Sequence, residues 1–169
     1  QILPPRRRDP VAVVNLDLCN GCGRCAADCP YEAVQMVPRT DGRPLPRNAL
    51  VDSSLCLSCG ICVGACPTAT PFRTAQELVT AIDLPQYSLD EMRNATLDAV
   101  GRLTGAPRIA VYACAQAIDP EALTGPGLAV VGLTCAAQLP PSFVDFLITR
   151  DLVDGVFLAG CRPGECAYR

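Results

Sequence analysis

Cysteine is the residue type in this chain whose number and spacing point to metal or redox chemistry. There are twelve cysteines in 169 residues. Eight of them form two strings of identical spacing, C-x2-C-x2-C-x3-C-P, and the second string lies 37 residues after the first (19 to 56). The strings are Cys19, Cys22, Cys25, Cys29 and Pro30, then Cys56, Cys59, Cys62, Cys66 and Pro67. So many cysteines indicate disulfides, zinc or iron–sulfur clusters; the repeated spacing favours clusters, and zinc and disulfides stay as the alternatives.

The composition excludes several other classes of protein. There is no histidine, so neither His-dependent nucleophilic catalysis nor a His-liganded metal site is expected. The net charge of −3 divides into +1 over residues 1–68 (7 Arg, 6 acids) and −4 over residues 69–169 (7 Arg, 11 acids), and neither half is a nucleic-acid-binding surface. The longest mostly apolar stretch, Leu128–Leu139, is too short to span a bilayer. We therefore expect no nucleic-acid partner and no transmembrane segment.

Residues 9–70 resemble a bacterial ferredoxin with two [4Fe–4S] clusters, because the repeated string is the one that such ferredoxins carry. In that family the fourth cysteine of each string ligates the other cluster. The resemblance therefore implies one cluster, cluster I, on Cys19, Cys22, Cys25 and Cys66, and another, cluster II, on Cys56, Cys59, Cys62 and Cys29. Three glycines between the cysteines, Gly21, Gly23 and Gly60, leave room for backbone amides to approach the sulfides.

The residues around the two cysteine strings predict the strands and helices that position them. Short β-branched or apolar runs predict strands at residues 11–16, 33–37 and 49–52, and a Pro- and Gly-rich exposed loop joins the halves at 38–48. Helical spacing predicts a helix over Thr74–Leu84, which Pro85 ends. A capping box at Ser88–Glu91 begins a second amphipathic helix. We interpret residues 71–106 as a helical connector.

The last third of the chain changes periodicity and carries the remaining four cysteines. Near-continuous apolar runs at residues 108–113, 128–133 and 155–159, with a helix predicted at 141–148, favour a small α/β unit with a parallel sheet. Cys114, Cys135 and Cys161 each follow one of these strands, and Cys166 lies in the loop after Cys161. The carboxyl ends of parallel strands share one edge, so the four cysteines are expected to converge on a metal site rather than to fill the core as small residues. A [2Fe–2S] cluster is favoured over zinc there.

Residues 107–169 resemble the delta-subunit family of methyl-viologen-reducing hydrogenase, whose members partner heterodisulfide reductase. The resemblance is carried by Cys114, by Leu133-Thr134-Cys135 and above all by the loop Ala159–Cys166, which fits G-C-x-P-G-[DE]-C. It implies one [2Fe–2S] cluster and electron transfer between a flavin-bearing protein and other redox subunits. The chain departs from the family at Cys114, which opens no C-x-x-C pair, so Cys114, Cys135, Cys161 and Cys166 are the candidate ligands without a surplus.

Together these patterns predict an α+β ferredoxin-like dicluster domain followed by a small α/β domain with a short parallel sheet. The predicted boundaries are 1–70 for the ferredoxin domain, 71–106 for the connector and 107–169 for the α/β domain. The expected function is a non-catalytic electron relay between a flavin-containing oxidoreductase subunit and a second redox protein, in a hetero-oligomeric complex. The alternative is a redox or iron sensor that acts through cluster loss. Cluster assembly needs reduced thiols, which favours the cytoplasm, with membrane association only through partners.

Overall fold

The computed structural model describes residues 10–68, 79–166 and 168. Its N-terminal part has two antiparallel strand pairs and two short helices. Strand β1 (Val13–Val14) pairs with β4 (Ile82–Asp83), and β2 (Val34–Pro38) pairs with β3 (Arg47–Val51). Helices α1 (Arg24–Ala27) and α2 (Ile61–Ala65) each begin inside a cysteine string. The strand–loop–helix arrangement is that of a ferredoxin-like dicluster domain, as the sequence predicts.

The internal repeat is visible in the backbone of the two cysteine loops. Gly21 and Ser58 occupy equivalent positions and have φ angles of 68° and 55°. The next equivalent pair, Gly23 and Gly60, caps α1 and α2 with φ angles of 81° and 82°. At Gly21 a side chain is also excluded by space, because an added Cβ would lie 2.3 Å from the carbonyl oxygen of Arg47. Both loops therefore take the same left-handed turns before their helices.

The prediction of a helix over Thr74–Leu84 is wrong at its C-terminal end. Residues 74–78 lie outside the described residues. Ile82 and Asp83 form strand β4 instead of a helical turn. The backbone N–H of Asn15 donates to the carbonyl of Ala81 at 2.9 Å, which extends the pairing with the β1 segment. Pairing with the N-terminal strand overrides the apolar spacing, which fits a strand as well as a helix over so few residues.

The second predicted helix is confirmed. Helix α3 spans Leu89–Gly101, and Ser88 caps it through a complete capping box with Glu91. The Ser88 hydroxyl accepts from the Glu91 amide at 3.2 Å, while the Glu91 carboxylate accepts from the Ser88 amide at 2.7 Å. The helix ends at Gly101, where the low helix propensity of glycine weakens it.

The C-terminal part is a three-stranded parallel sheet, as predicted. Its strands are β5 (Ile109–Cys114), β6 (Leu128–Leu133) and β7 (Gly155–Ala159), in the order β6-β5-β7. Helix α4 (Pro141–Thr149) connects β6 to β7, and short 3-10 turns lie at Pro120–Ala122 and Ala136–Gln138.

One buried core runs through both parts of the chain. It contains Val63 of α2, Met92 of α3, Tyr112 of β5 and Phe143 of α4, all fully buried. The Tyr112 hydroxyl lies 3.1 Å from that of Thr96, which joins α3 to the sheet. The α/β unit therefore packs directly on the ferredoxin part. Over the described residues, no helix combines the length and the apolar character that crossing a membrane takes.

Candidate functional site

Two cavities lie between the cysteine loops, and each is lined by four cysteines. Cavity I is lined by Cys19, Cys22, Cys25 and Cys66. Cavity II is lined by Cys29, Cys56, Cys59 and Cys62. In each cavity three cysteines come from one string and the fourth comes from the other. The structure thus brings together the two sets of four that the ferredoxin resemblance implies.

Helices α1 and α2 exchange the fourth cysteines. Cys25 and Cys62 lie on the first turns of their helices, and the chain leaves each helix at Cys29 or Cys66, beyond its last turn. Since α1 and α2 pack against each other, each helix end delivers its last cysteine to the neighbouring cavity. This exchange holds the two cavities in one rigid unit.

The remaining walls of the cavities are largely apolar, which suits a cluster of iron and sulfide shielded from water. Cavity I has Met36, Ala49 and Ile82 in its wall, and cavity II has Val34 and Leu84. Among the described residues, no carboxylate joins the thiols in either wall, so each cavity offers four thiol donors and no other anionic ligand. Four thiolates around a small apolar space are the donor set of a [4Fe–4S] cluster.

Two buried thiols, one in each cavity, have raised pKa values and so resist ionisation. Burial, reinforced by the negative charge of Cys66, Cys22 and Cys19, raises the pKa of Cys25 to about 11. Burial, together with the charge of the other cavity II thiols and of Cys25 from cavity I, raises the pKa of Cys62 to about 12. Four thiolates so close together are stable only around positive charge, which the iron of a bound cluster would supply, since metal binding releases the thiol protons.

Cys66 is hydrogen-bonded to a threonine side chain. Its Sγ lies 2.9 Å from the Thr68 hydroxyl, which at the same time accepts from the Ala81 amide at 2.9 Å. A thiolate at Cys66 has no proton, so the Thr68 hydroxyl is then the donor of this hydrogen bond. Burial raises the pKa of Cys66, but hydrogen bonds from the Thr68 and Thr80 side chains and from the backbone of Thr68 and Ala81 outweigh burial and lower it below its ordinary value.

Arg39 stabilises the loop of cavity I. Its guanidinium donates to the carbonyl of Cys19 at 2.8 Å and to that of Leu16, and it pairs with Asp41 at 2.8 Å. The side chain is only 2% exposed. Sequence reasoning missed Arg39 and Thr68, since an arginine in a connecting loop and a threonine after Cys-Pro carry no motif of their own.

The structure places the four remaining cysteines near one another at the carboxyl edge of the parallel sheet. Cys114, at the end of β5, is buried, and its Sγ lies 3.7 Å from that of Cys161 after β7. The hydrogen bond with Cys114 and burial raise the pKa of Cys161 to about 11, and the charge of Cys166 adds to the effect. Burial raises the pKa of Cys135, to which the charges of Cys114 and Cys166 contribute. We call this group the C-terminal site.

All twelve cysteines are free in the structure. At 3.7 Å, the sulfurs of Cys114 and Cys161 are far beyond the bond length of a disulfide, about 2.05 Å. Two thiolates on one tetrahedral metal with bonds of about 2.3 Å lie about 3.8 Å apart, which this pair matches. Within residues 10–68, 79–166 and 168, no three Cys, Asp or Glu side chains are arranged to hold a single metal ion.

Two families match separate parts of the chain. Residues 18–70 match the family described as 4Fe-4S dicluster domain. Residues 106–169 match the family described as methyl-viologen-reducing hydrogenase, delta subunit. A curated relative, an iron-sulfur subunit of the F420-non-reducing hydrogenase vhc of Methanococcus voltae, is 35% identical over 43 residues. That match covers 25% of this chain and 29% of the relative. The chain is thus similar to a 4Fe-4S dicluster domain over residues 18–70 and to the delta subunit of methyl-viologen-reducing hydrogenase over residues 106–169.

Proposed function

We propose that the chain is an iron–sulfur electron-transfer subunit, or a domain of one, within a multi-subunit redox complex. It relays single electrons through two [4Fe–4S] clusters and one [2Fe–2S] cluster. The observation that carries this proposal is the grouping of eight cysteines into two cavities, each lined by three cysteines of one string and the fourth of the other. The relative's name, that of a hydrogenase iron-sulfur subunit, agrees with a role as one component of a larger assembly.

The proposed ligands follow the grouping. Cluster I is held by Cys19, Cys22, Cys25 and Cys66, cluster II by Cys29, Cys56, Cys59 and Cys62, and the [2Fe–2S] cluster by Cys114, Cys135, Cys161 and Cys166. When bound, the clusters supply one-electron redox chemistry; the protein holds them near one another, shields them from water and tunes their potentials. The 3.7 Å separation supports Cys114 and Cys161 as ligands of the same iron, which leaves Cys135 and Cys166 for the second.

The proposed partners follow from the chemistry of such a relay. A chain of clusters takes electrons singly, so it suits a donor that splits an electron pair, as a flavin does. We propose a flavoprotein dehydrogenase or a heterodisulfide-reductase-like flavoprotein on one side and a second redox protein on the other. We further propose the domain boundaries 1–70, 71–106 and 107–169, and the reducing cytoplasm as the compartment, since cluster assembly needs free thiols.

Iron content and spectroscopy test the cluster assignment. Anaerobically purified protein is expected to contain about ten irons, four in each cubane and two at the C-terminal site. Replacing Cys135 by Ser should abolish the [2Fe–2S] signal and spare both ferredoxin-type signals. The matched control is Thr134→Ser, a change at the adjacent residue that removes no thiol and should leave all three signals and the iron content unchanged. About eight irons, or a [2Fe–2S] signal that survives Cys135→Ser, contradicts the C-terminal assignment.

Reversible reduction separates a relay from a sensor. A relay is expected to accept electrons at all three centres from dithionite and to return them to a flavoprotein without loss of iron. Spectra recorded over repeated reduction and reoxidation measure this directly. Clusters that are destroyed by reduction, with a partner interaction that changes when they are lost, favour the sensor function instead.

A further inference from the structure

The C-terminal domain covers the loop and helix that carry cluster II ligands. Its 3-10 turn Ala136–Gln138, immediately after Cys135, packs on α2. The contact is so close that a Cβ added at Gly64 would lie 2.0 Å from the carbonyl oxygen of Ala137. At Gly60, between Cys59 and Cys62, an added Cβ would lie 3.0 Å from the Gln138 side chain. Glycine at both positions allows the turn to approach the backbone of α2.

Gln138 fixes the position of Cys135 relative to this loop. Its side chain is fully buried, and its Nε2 donates to the carbonyl of Tyr87 at 3.0 Å. Its backbone N–H donates to the carbonyl of Cys135 at 2.9 Å, which closes the turn. The equivalent glycine of the first string, Gly23, has Met36 of the ferredoxin part as its neighbour, at 3.9 Å from an added Cβ. The C-terminal domain therefore reaches the capping glycine of the second string.

Tyr31 joins cavity II to the C-terminal site from the other side. It follows Cys29 and Pro30 and lines cavity II, and its hydroxyl donates to the carbonyl of Tyr168, two residues beyond Cys166. The phenol therefore extends from the wall of cavity II to the loop of the C-terminal site.

We infer that the C-terminal site exchanges electrons directly with cluster II, across the contact between the Cys59 loop, Tyr31 and the turn after Cys135, and that cluster I is the far end of the relay. The inference rests on the proposed function. In the step, the reduced C-terminal centre loses one electron and oxidised cluster II gains it; no bond is made or broken and no proton is transferred. The same step runs in reverse when cluster II is the donor.

Magnetic coupling between reduced centres tests this order in the full chain. Each centre is paramagnetic after one-electron reduction, and neighbouring spins broaden each other's electron paramagnetic resonance signals and speed their relaxation. The matched variants are Cys19→Ala and Cys56→Ala, which remove the first ligand of cluster I and of cluster II. We expect the broadening of the C-terminal signal to be lost in Cys56→Ala and retained in Cys19→Ala. The opposite result, or equal broadening in both variants, overturns the inference.

A second measurement avoids the loss of a cluster, in case either cysteine variant fails to fold. In the unmodified protein, stepwise reduction should broaden the C-terminal signal when cluster II is reduced and not when cluster I is reduced. The Thr68→Val variant identifies cluster I in the titration, because it alters a hydrogen bond to Cys66. If the C-terminal signal broadens when the cluster whose signal this variant shifts becomes reduced, the inference is contradicted. A protein with no paramagnetic C-terminal centre overturns the proposed function as well, whereas a C-terminal centre uncoupled from cluster II overturns the inference alone.

Discussion

Removing the Thr68 hydroxyl should lower the reduction potential of cluster I and leave cluster II unchanged. Thr68→Val keeps the shape of the side chain but deletes the hydrogen bond to the Cys66 sulfur at 2.9 Å. Reduction adds negative charge to the cluster and its thiolates, so a donor at sulfur stabilises the reduced state more than the oxidised state. Without the donor, reduction becomes less favourable and the potential falls.

The size of the shift follows from the strength of the bond. A hydrogen bond to a charged acceptor contributes about 1.5–3 kcal/mol, and a one-electron potential changes by about 59 mV for about 1.4 kcal/mol. If about a third of the bond energy is gained on reduction, the loss of Thr68 lowers the potential by about 20–40 mV. The hydrogen bonds from the Thr80 side chain and from the backbone amides near Cys66 remain, so the shift stays within this range and the cluster is retained.

Potentiometric titration followed by electron paramagnetic resonance measures the shift. Thr96→Val is the matched control, because Thr96 is a fully buried threonine whose hydroxyl donates to the carbonyl of Met92 at 2.8 Å rather than to a cysteine. This control is expected to cost stability without moving either potential. The decisive comparison is with Cys19→Ala: the signal that Thr68→Val shifts must be the one that Cys19→Ala removes. If it is the signal removed by Cys56→Ala, then Cys66 belongs to the second string's own cluster and the exchange of fourth cysteines is refuted.

Two further predictions concern the contacts that hold the sites in place. Gly64→Ala should destabilise the protein by about 1–3 kcal/mol, since its Cβ meets the Ala137 carbonyl at 2.0 Å and this overpacking exceeds the gain in helix propensity. The control is Gly101→Ala, which is also in a helix but has no neighbour within 4 Å of an added Cβ, so its melting temperature should be unchanged or raised. Equal melting temperatures of the two variants would contradict the close contact at Gly64. Arg39→Gln should speed the loss of the cluster I signal in air relative to cluster II, because it removes the guanidinium bond to the Cys19 carbonyl. If both signals are lost in air at the same rate, Arg39 does not act specifically on the loop of cavity I.

The sequence predicts those parts of the site that depend on spacing along the chain. The resemblance of the repeated string to two-cluster ferredoxins implies which cysteines share a cavity, and the three apolar runs predict the parallel strands that bring Cys114, Cys135 and Cys161 to one edge. Prediction from the sequence fails where a contact joins segments that are far apart along the chain. Ile82 follows helical spacing but pairs with Val14 in a strand, because a partner far along the chain satisfies its backbone. The role of Gln138 could not be predicted for the same reason, because it depends on contact with Gly60, which lies 78 positions earlier (138 to 60).

The two halves of the repeat have diverged at one position, and this difference would give the proposed relay a direction in space. Tyr31 and Thr68 are equivalent, since each stands two residues after the fourth cysteine of its string. Thr68 turns inward and bonds to Cys66, so under the proposed function that position tunes cluster I from within the ferredoxin part. Tyr31 instead extends to the carbonyl of Tyr168 beside the C-terminal site. A threonine at residue 31 would be too short to reach Tyr168, and a tyrosine at 68 would not fit between Cys66 and the Ala81 amide. A symmetric ferredoxin has two interchangeable ends. Here the cavity II end contacts the C-terminal domain, whereas at the cavity I end Cys22 is exposed.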